Sequence, residues 1–312
     1  MNPRGASGAL EAPPPSRSLR VLLHRVVDYA GLVPPASLAM EDAVAEYAAH
    51  RAEDAEWALG RFVLPAARLE EFESVAGAIV PREGSRSWAL SALGASDLEE
   101  DIGRIEAFNA RHSDARDGAV LVDTVEIKTN SVRDVTRAAE LLDRRFDTYM
   151  EVPVVEDPAD LIGAIATTRA KAKIRTGGVT ADAFPTGAQM VRFIARCVAH
   201  EVSFKATAGL HHPWRGEYRL TYAADAATGT MFGFLNVLLA VAALHHGQSE
   251  PDSLRLLEER QASAATFDDA GVRWGDMRLP LGALERARER MTAFGSCSFR
   301  EPIADLQAHG LL

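Results

Sequence analysis

The chain is short of positive charge, of cysteine and of long apolar runs, and each shortage excludes a class of function. Its 34 lysines and arginines face 44 aspartates and glutamates, for a net charge of −10. A nucleic-acid-binding surface needs clustered cations to displace counterions from phosphates, so nucleic acid is not an expected partner. Two cysteines, Cys197 and Cys297, cannot build a disulfide framework and show no metal-ligand spacing; they fit reduced thiols in a cytoplasmic protein. The longest apolar run, from Phe234 to Leu244, falls well short of the roughly 20 residues that cross a bilayer. It should form a buried helix, and no membrane partner is expected. Residues 1–20, rich in Gly, Pro, Ser and Ala, lack the apolar core of a signal peptide and read as a disordered tail.

Lysine is the scarcest of the common charged residues. Arginine outnumbers it thirty to four, and the four, Lys128, Lys171, Lys173 and Lys205, all fall in or at the ends of β-like segments. A guanidinium keeps its proton at any ordinary pH, whereas an amine can lose it and attack a carbonyl. Where this chain needs only charge it uses arginine, so the surviving lysines are candidates for lysine-specific chemistry. Chance survival in an arginine-biased composition is the plain alternative.

Short β-like runs alternate with longer helical patterns, the signature of βαβ units around a parallel sheet. Strands are expected at Leu23 to Asp28, Gly60 to Leu64, Ser87 to Leu93, Ala119 to Lys128, Thr148 to Val154, Ala170 to Arg175, Ser203 to Thr207 and Phe294 to Ser298. Helices are expected at Met40 to Arg51, from Ala67, at Leu98 to His112 capped by Ser96, at Val132 to Arg144, after Asp157-Pro158, at Gly187 to His200, at Met231 to His246, in the charged stretch after it, and at Leu281 to Phe294. Eight strands fit a single-domain (β/α)8 TIM barrel over residues 21–312, with extra helices between strands seven and eight. No G-x-G-x-x-G follows the first strand, and no cofactor is expected. Trp274, in a polar irregular stretch, fits a lid or a homo-oligomer contact equally well.

In such a barrel the active site lies at the C-terminal ends of the strands. Strand alternation places Lys171, Lys173 and Arg175 on one face, near Lys205 of the next strand. Mutual repulsion and exclusion from water would lower an amine's pKa toward neutrality and make it a nucleophile. Equally, these cations could bind an anionic substrate or pair with Asp123, Glu126 and Glu151. On a regular strand Glu126 and Lys128 alternate away from Asp123, so both sets face inward only if the strand is bulged. The doublets His211-His212 and His245-His246 point their side chains in different directions and do not read as a metal site.

Four of these segments resemble the deoxyribose-phosphate aldolases, class I aldolases on a (β/α)8 barrel. Lys173-Ile174-Arg175-Thr176-Gly177 fits the family's K-x-x-T-G motif, whose lysine forms the imine. Phe204-Lys205-Ala206-Thr207-Ala208-Gly209 is similar to its F/V-K-x-x-G-G, with Ala208 at the first glycine. Val122-Asp123-Thr124-Val125 resembles the segment bearing the proton-relay aspartate, and Phe294-Gly295-Ser296-Cys297-Ser298 the phosphate-binding F-G-x-S-S, with cysteine at the first serine. A weaker likeness covers Val27-Asp28 and Arg61 to Pro65. The resemblance implies Lys173 as the imine-forming amine, with Lys205 and Asp123 moving its protons. It implies that Gly209, Gly295, Ser296 and Ser298 hold an anionic or polar substrate end. His211-His212 stands where the family usually has a basic residue, and the last residues carry no tyrosine. The substrate class therefore stays open between a sugar phosphate and another small aldehyde or keto compound. Asp28, Glu126, Lys128, Glu151, Lys171, Arg175, Thr176, Gly177, Gly178, Thr207 and His211 complete the expected substrate contacts. Two other readings remain: an isomerase or decarboxylase using the cations electrostatically, and a non-catalytic ligand-binding barrel.

Overall fold

The computed structural model describes the chain apart from residues 1–13, 78, 81–86, 96, 113–119 and 143. Its centre is a barrel of eight parallel strands. Seven run in chain order as β1 (Val27–Tyr29), β2 (Leu59–Pro65), β3 (Trp88–Leu93), β4 (Val120–Lys128), β5 (Asp147–Glu151), β6 (Lys171–Arg175) and β7 (Phe204–Thr207). After a hairpin of β8 (Gly216–Arg219) and β9 (Thr228–Met231) and a small sheet of β10 (Ala265–Asp268), β11 (Gly271–Trp274) and β12 (Met277–Pro280), the eighth barrel strand is β13 (Met291–Ser296). It pairs in parallel with both β7 and β1 and so closes the barrel. The expected (β/α)8 class is thus the observed one.

The alternation read on β6 is the reason for its place. Ala172 and Ile174 are buried against the helical layer, while Lys171, Lys173 and Arg175 take the opposite face toward the lumen. The outer helices are α2 (Met40–His50), α3 (Leu69–Ala76), α4 (Leu98–Arg111), α5 (Val132–Leu142), α6 (Ala159–Ala166) and α7 (Gly187–Ala199). The series continues with α8 (Phe234–His245), α9 (Glu250–Glu258), α10 (Leu281–Arg290) and α11 (Arg300–Ala308). The apolar stretch expected to be a buried helix is α8, buried from Phe234 through Ala243. Helix α7 starts at a capping box in which Thr186 accepts from the Gln189 N–H and the Gln189 side chain accepts from the Thr186 N–H.

Several boundaries differ from expectation. Residues 17–23 form helix α1 (Arg17–Leu23), so helix occupies both the end of the expected tail and the start of the expected first strand. Ser16 accepts from the Leu19 N–H, and Leu19, Leu22 and Leu23 recur with helical spacing on a buried face. The expected cap Ser96 lies outside the described residues; Asp97 caps α4. Pro158 occupies the N-cap of α6 rather than its first turn, and the Asp157 carboxylate accepts from the Ala159 N–H. The last helix before β13 stops at Arg290, because the chain must become extended to pair with β7. The insertion between the seventh and eighth barrel strands holds the expected helices, and also five short strands that were not expected: the segment around Trp274 had read as irregular, and Met231, which ends β9, as the start of a helix.

The loop leaving β7 carries a strained position. Ala208 has φ +65 and Gly209 φ +73, both in the left-handed region that costs a side chain with Cβ about 1–2 kcal/mol. Ala208→Gly should therefore raise stability by about 1 kcal/mol, read as a higher urea midpoint at unchanged slope. No gain would mean that this φ is not held in the folded chain.

Candidate active site

The C-terminal ends of the strands open into a cavity of about 330 Å³, in the range of small-molecule sites. Its walls are largely apolar, including Val63, Leu93 and Met231, and its floor holds Lys173, Lys205 and Glu126. Closure of the barrel explains why these three meet. Lys173 on β6 and Lys205 on β7 are direct register partners, and Glu126 reaches them across the lumen from β4.

The two amines are not equivalent. Lys205 is fully buried and donates to Asp28 Oδ2 at 2.6 Å and to Glu126 Oε1 at 2.6 Å. Burial alone would lower the pKa of this ammonium, but Asp28 and Glu126 reverse the effect and raise it above the ordinary lysine value. Lys173 Nζ stands 2.9 Å from Glu126 Oε2 and 3.0 Å from Glu151 Oε2. Neither of those oxygens has a well-aimed donor, so Lys173 is ion-paired without the directed bonds that lock Lys205. Both amines reach the cavity floor, Lys173 as the freer one and Lys205 as the locked one.

Glu126 is the hub. Its burial would raise its pKa, yet Lys173 and Lys205 hold it well below the usual carboxylate range, and the Ser91 hydroxyl donates to Oε1 at 2.6 Å. Glu151 is likewise lowered, against burial, by Lys173 and then Arg175, whose Nε lies 3.6 Å from Oε1. The expected mutual repulsion of cations is therefore absent at the floor: a carboxylate stands between the amines.

Asp123 is not part of this group. It accepts from Arg61 Nε at 2.6 Å and Nη2 at 3.0 Å, at the N-terminal end of the barrel, where Lys171 pairs with Asp147 at 3.1 Å. The cause is a bulge. Leu90 pairs with Val122 but Ser91 with Thr124, which leaves Asp123 as the extra residue and turns Glu126 into the lumen. Lys171 thus serves the far end of the barrel, and Lys128 is exposed at the end of β4, outside the cavity lining.

Asp28 supports the floor from β1. Its Oδ1 accepts from the Arg61 N–H at 2.8 Å, and a Cβ at Gly60 would come within 2.3 Å of the same oxygen. Glycine at position 60 is what allows this carboxylate to lie against β2 and reach Lys205.

Within K-x-x-T-G only the lysine is placed for chemistry. The buried Thr176 hydroxyl donates to the Ala208 carbonyl and ties the ends of β6 and β7 together. A Cβ at Gly177 would meet the Phe184 ring at 2.4 Å, so this glycine admits an aromatic side chain. Gly178, Arg175, Thr207, Gly209, His211 and Gly295 do line the cavity; Thr176, Gly177, Ser296 and Ser298 do not. Ser296 Oγ is turned instead to the Ser298 carbonyl, donating at 2.7 Å.

Sequence reasoning missed the rim residues that the insertion and α11 supply, Arg219, Tyr222 and Glu301, and gave no contact to Cys297, which follows β13. His211 Nδ1 lies 2.9 Å from Glu301 Oε2. Burial would lower the His211 pKa, but hydrogen bonds to Cys297 and Glu301 push it up to about 9. The stability this pairing adds is fully present below about pH 6.5, the ordinary histidine value, and is lost as pH rises through about 9. The difference in unfolding free energy between wild type and His211→Gln should therefore shrink over that window, by up to ~3 kcal/mol. A pH-independent difference in urea midpoints would contradict it.

Among the described residues, no three His, Cys, Asp or Glu side chains converge as metal ligands. No helix among them is long and apolar enough to cross a membrane. The chain matches no family model and no curated protein sequence.

Proposed function

We propose that the protein is a cofactor-independent class I lyase of the aldolase type, acting on a small aldehyde or keto compound through an imine on Lys173. The observation that carries this reading is the asymmetry of the two amines on the cavity floor: Lys173 stands between two carboxylates without directed bonds, while Lys205 is locked by hydrogen bonds to Asp28 and Glu126. The resemblance of Lys173 to Gly177 and Phe204 to Gly209 to deoxyribose-phosphate aldolase motifs supports it independently.

In this reading the Lys173 ammonium gives up its proton to solvent as the substrate enters, and the free amine attacks the substrate carbonyl carbon. The carbinolamine loses water to give an iminium, into which the electrons of the adjacent C–C bond can flow. A β-hydroxyl gives up its proton as that bond breaks, leaving an aldehyde and an enamine. Protonation of the enamine carbon and hydrolysis release the second product and restore Lys173. Glu126, held by Ser91 and Lys205, is the group placed to carry these protons, in the role that the resemblance implied for Asp123. Apolar walls exclude water from the charged floor, which strengthens each electrostatic contact there.

Incubation with a panel of small aldehydes and ketones, followed by borohydride reduction and peptide mapping, tests the reading. A reduced adduct on Lys173 is expected, with none on Lys205. Absence of any Lys173 adduct across the panel would sink it.

A further inference from the structure

The same cavity holds a second nucleophile. Cys297 follows β13 and is nearly buried, at 5% exposed, yet it lines the cavity. Its Sγ stands 3.9 Å from His211 Nε2 and 3.4 Å from the Tyr222 hydroxyl. The other nitrogen of His211 meets Glu301 Oε2 at 2.9 Å and Ser296 Oγ at 3.3 Å. Thiol and carboxylate therefore stand at opposite nitrogens of the imidazole, the thiol at Nε2 and the carboxylate at Nδ1. That is the arrangement of a nucleophile, its acid-base partner and the group that orients the partner. Because the imidazole uses opposite nitrogens, the three do not converge on one point as metal ligands would.

A cysteine kept only for packing looks different, and this chain supplies the contrast. Cys197 is fully buried within α7, in the apolar core, where burial pushes its thiol pKa well up. Cys297 has polar neighbours from two separate segments, His211 after β7 and Tyr222 after β8, and both of these meet Glu301 on α11.

We propose that Cys297, with His211 as its acid-base partner and Glu301 orienting the imidazole, is a second covalent centre that captures an aldehyde as a hemithioacetal. The Sγ–C bond forms as the C=O π pair moves onto oxygen, and that oxygen takes the proton given up by the thiol, passed through His211. Atoms and charge balance without a co-reactant, and reversal releases the aldehyde. Acyl transfer fits less well. It would need spare N–H donors for an oxyanion, yet the Ser298 N–H is given to Ser296 Oγ and the Glu301 N–H to Ser298 Oγ. The choice of an aldehyde rests on the carbonyl substrate proposed above; the dyad itself does not. An amine and a thiol in one cavity suit a reaction in which two carbonyl compounds meet, with one on Lys173 and its aldehyde partner retained on Cys297.

The test is alkylation of the native full-length protein by iodoacetamide at neutral pH, followed residue by residue with peptide mass spectrometry. Cys297 is expected to be labelled and Cys197 not. His211→Gln should slow labelling of Cys297 by about tenfold or more, and Glu301→Gln, which keeps the imidazole, should slow it in the same direction should the first variant not fold. Millimolar propanal should protect Cys297 in Lys173→Met as it does in wild type, which separates capture by sulfur from imine formation. An unlabelled Cys297, an unchanged rate in the two variants, or no protection in Lys173→Met overturns the proposal. Loss of protection with Lys173 still trapped by borohydride leaves the imine reading standing; protection without trapping does the reverse.

Discussion

Lys173→Arg is expected to abolish turnover of any aldehyde or keto substrate that borohydride traps, by about 10⁴-fold or more in kcat. Arginine keeps the positive charge between Glu126 and Glu151, 2.9 and 3.0 Å from the present amine, so the floor stays neutralised. What it removes is the capacity to become a neutral nucleophile, since a guanidinium does not lose its proton in a protein. That makes the substitution decisive between the two enzymatic readings. An isomerase or decarboxylase that used position 173 only to stabilise negative charge would keep appreciable activity with arginine. Steady-state kinetics of the folded variant, beside the borohydride mapping, distinguishes the two.

Glu126→Gln should be the most destabilising single change at the floor, at about 3–5 kcal/mol. The amide is nearly isosteric and can still accept from Ser91, so the loss is electrostatic rather than one of packing. Two buried ammonium groups share this carboxylate, and removing its charge leaves Lys205 with Asp28 and Lys173 with Glu151. Chemical denaturation at pH 7 reads the effect. Because Glu126 is held below the usual carboxylate range, its contribution is fully present above the ordinary glutamate pKa of about 4.3 and fades as pH falls through the folded value. Wild type and Glu126→Gln should therefore differ at neutral pH and approach each other in strong acid. A variant as stable as wild type at pH 7 would show that the carboxylate does not neutralise the amines as described.

The barrel was legible because its strands repeat one pattern. Ala172 and Ile174 between Lys171, Lys173 and Arg175 can face only one way on a pleated strand, and an apolar stripe must find the helical layer. The start of the chain was less legible: Leu19, Leu22 and Leu23 carry helical spacing, but they run directly into Val26 and Val27, so a strand seemed to begin four residues early. The short strands of the insertion were not legible at all. At four residues each, they are too short for alternation to rise above an irregular segment.

At the site, pairing of the cations with Glu126 and Glu151 was one of the two expected readings and is what Lys173 and Lys205 show, whereas Lys171 and Lys128 lie away from the cavity floor. Asp123 was chosen by its place in the V-D-x-V segment, and alternation on a regular β4 then set Glu126 apart from it; a bulge reverses that, and a run of residues that all suit a strand does not show where the bulge falls. The rim escaped for another reason. Tyr222 lies 75 residues before Cys297 and His211 lies 86 before it, so no local spacing links them.

From the sequence alone, then, came the eightfold alternation, the placing of three cations on the inner face of the sixth strand, and the neighbouring lysine on the seventh. These follow from the two-residue period of a strand, which any single segment displays. Which carboxylate meets which amine was decided only by the closed barrel. Asp28 lies 177 residues before Lys205, and Glu126 lies 79 residues before it. Pairing across the lumen depends on register, bulge and closure, and those are properties of all eight strands together.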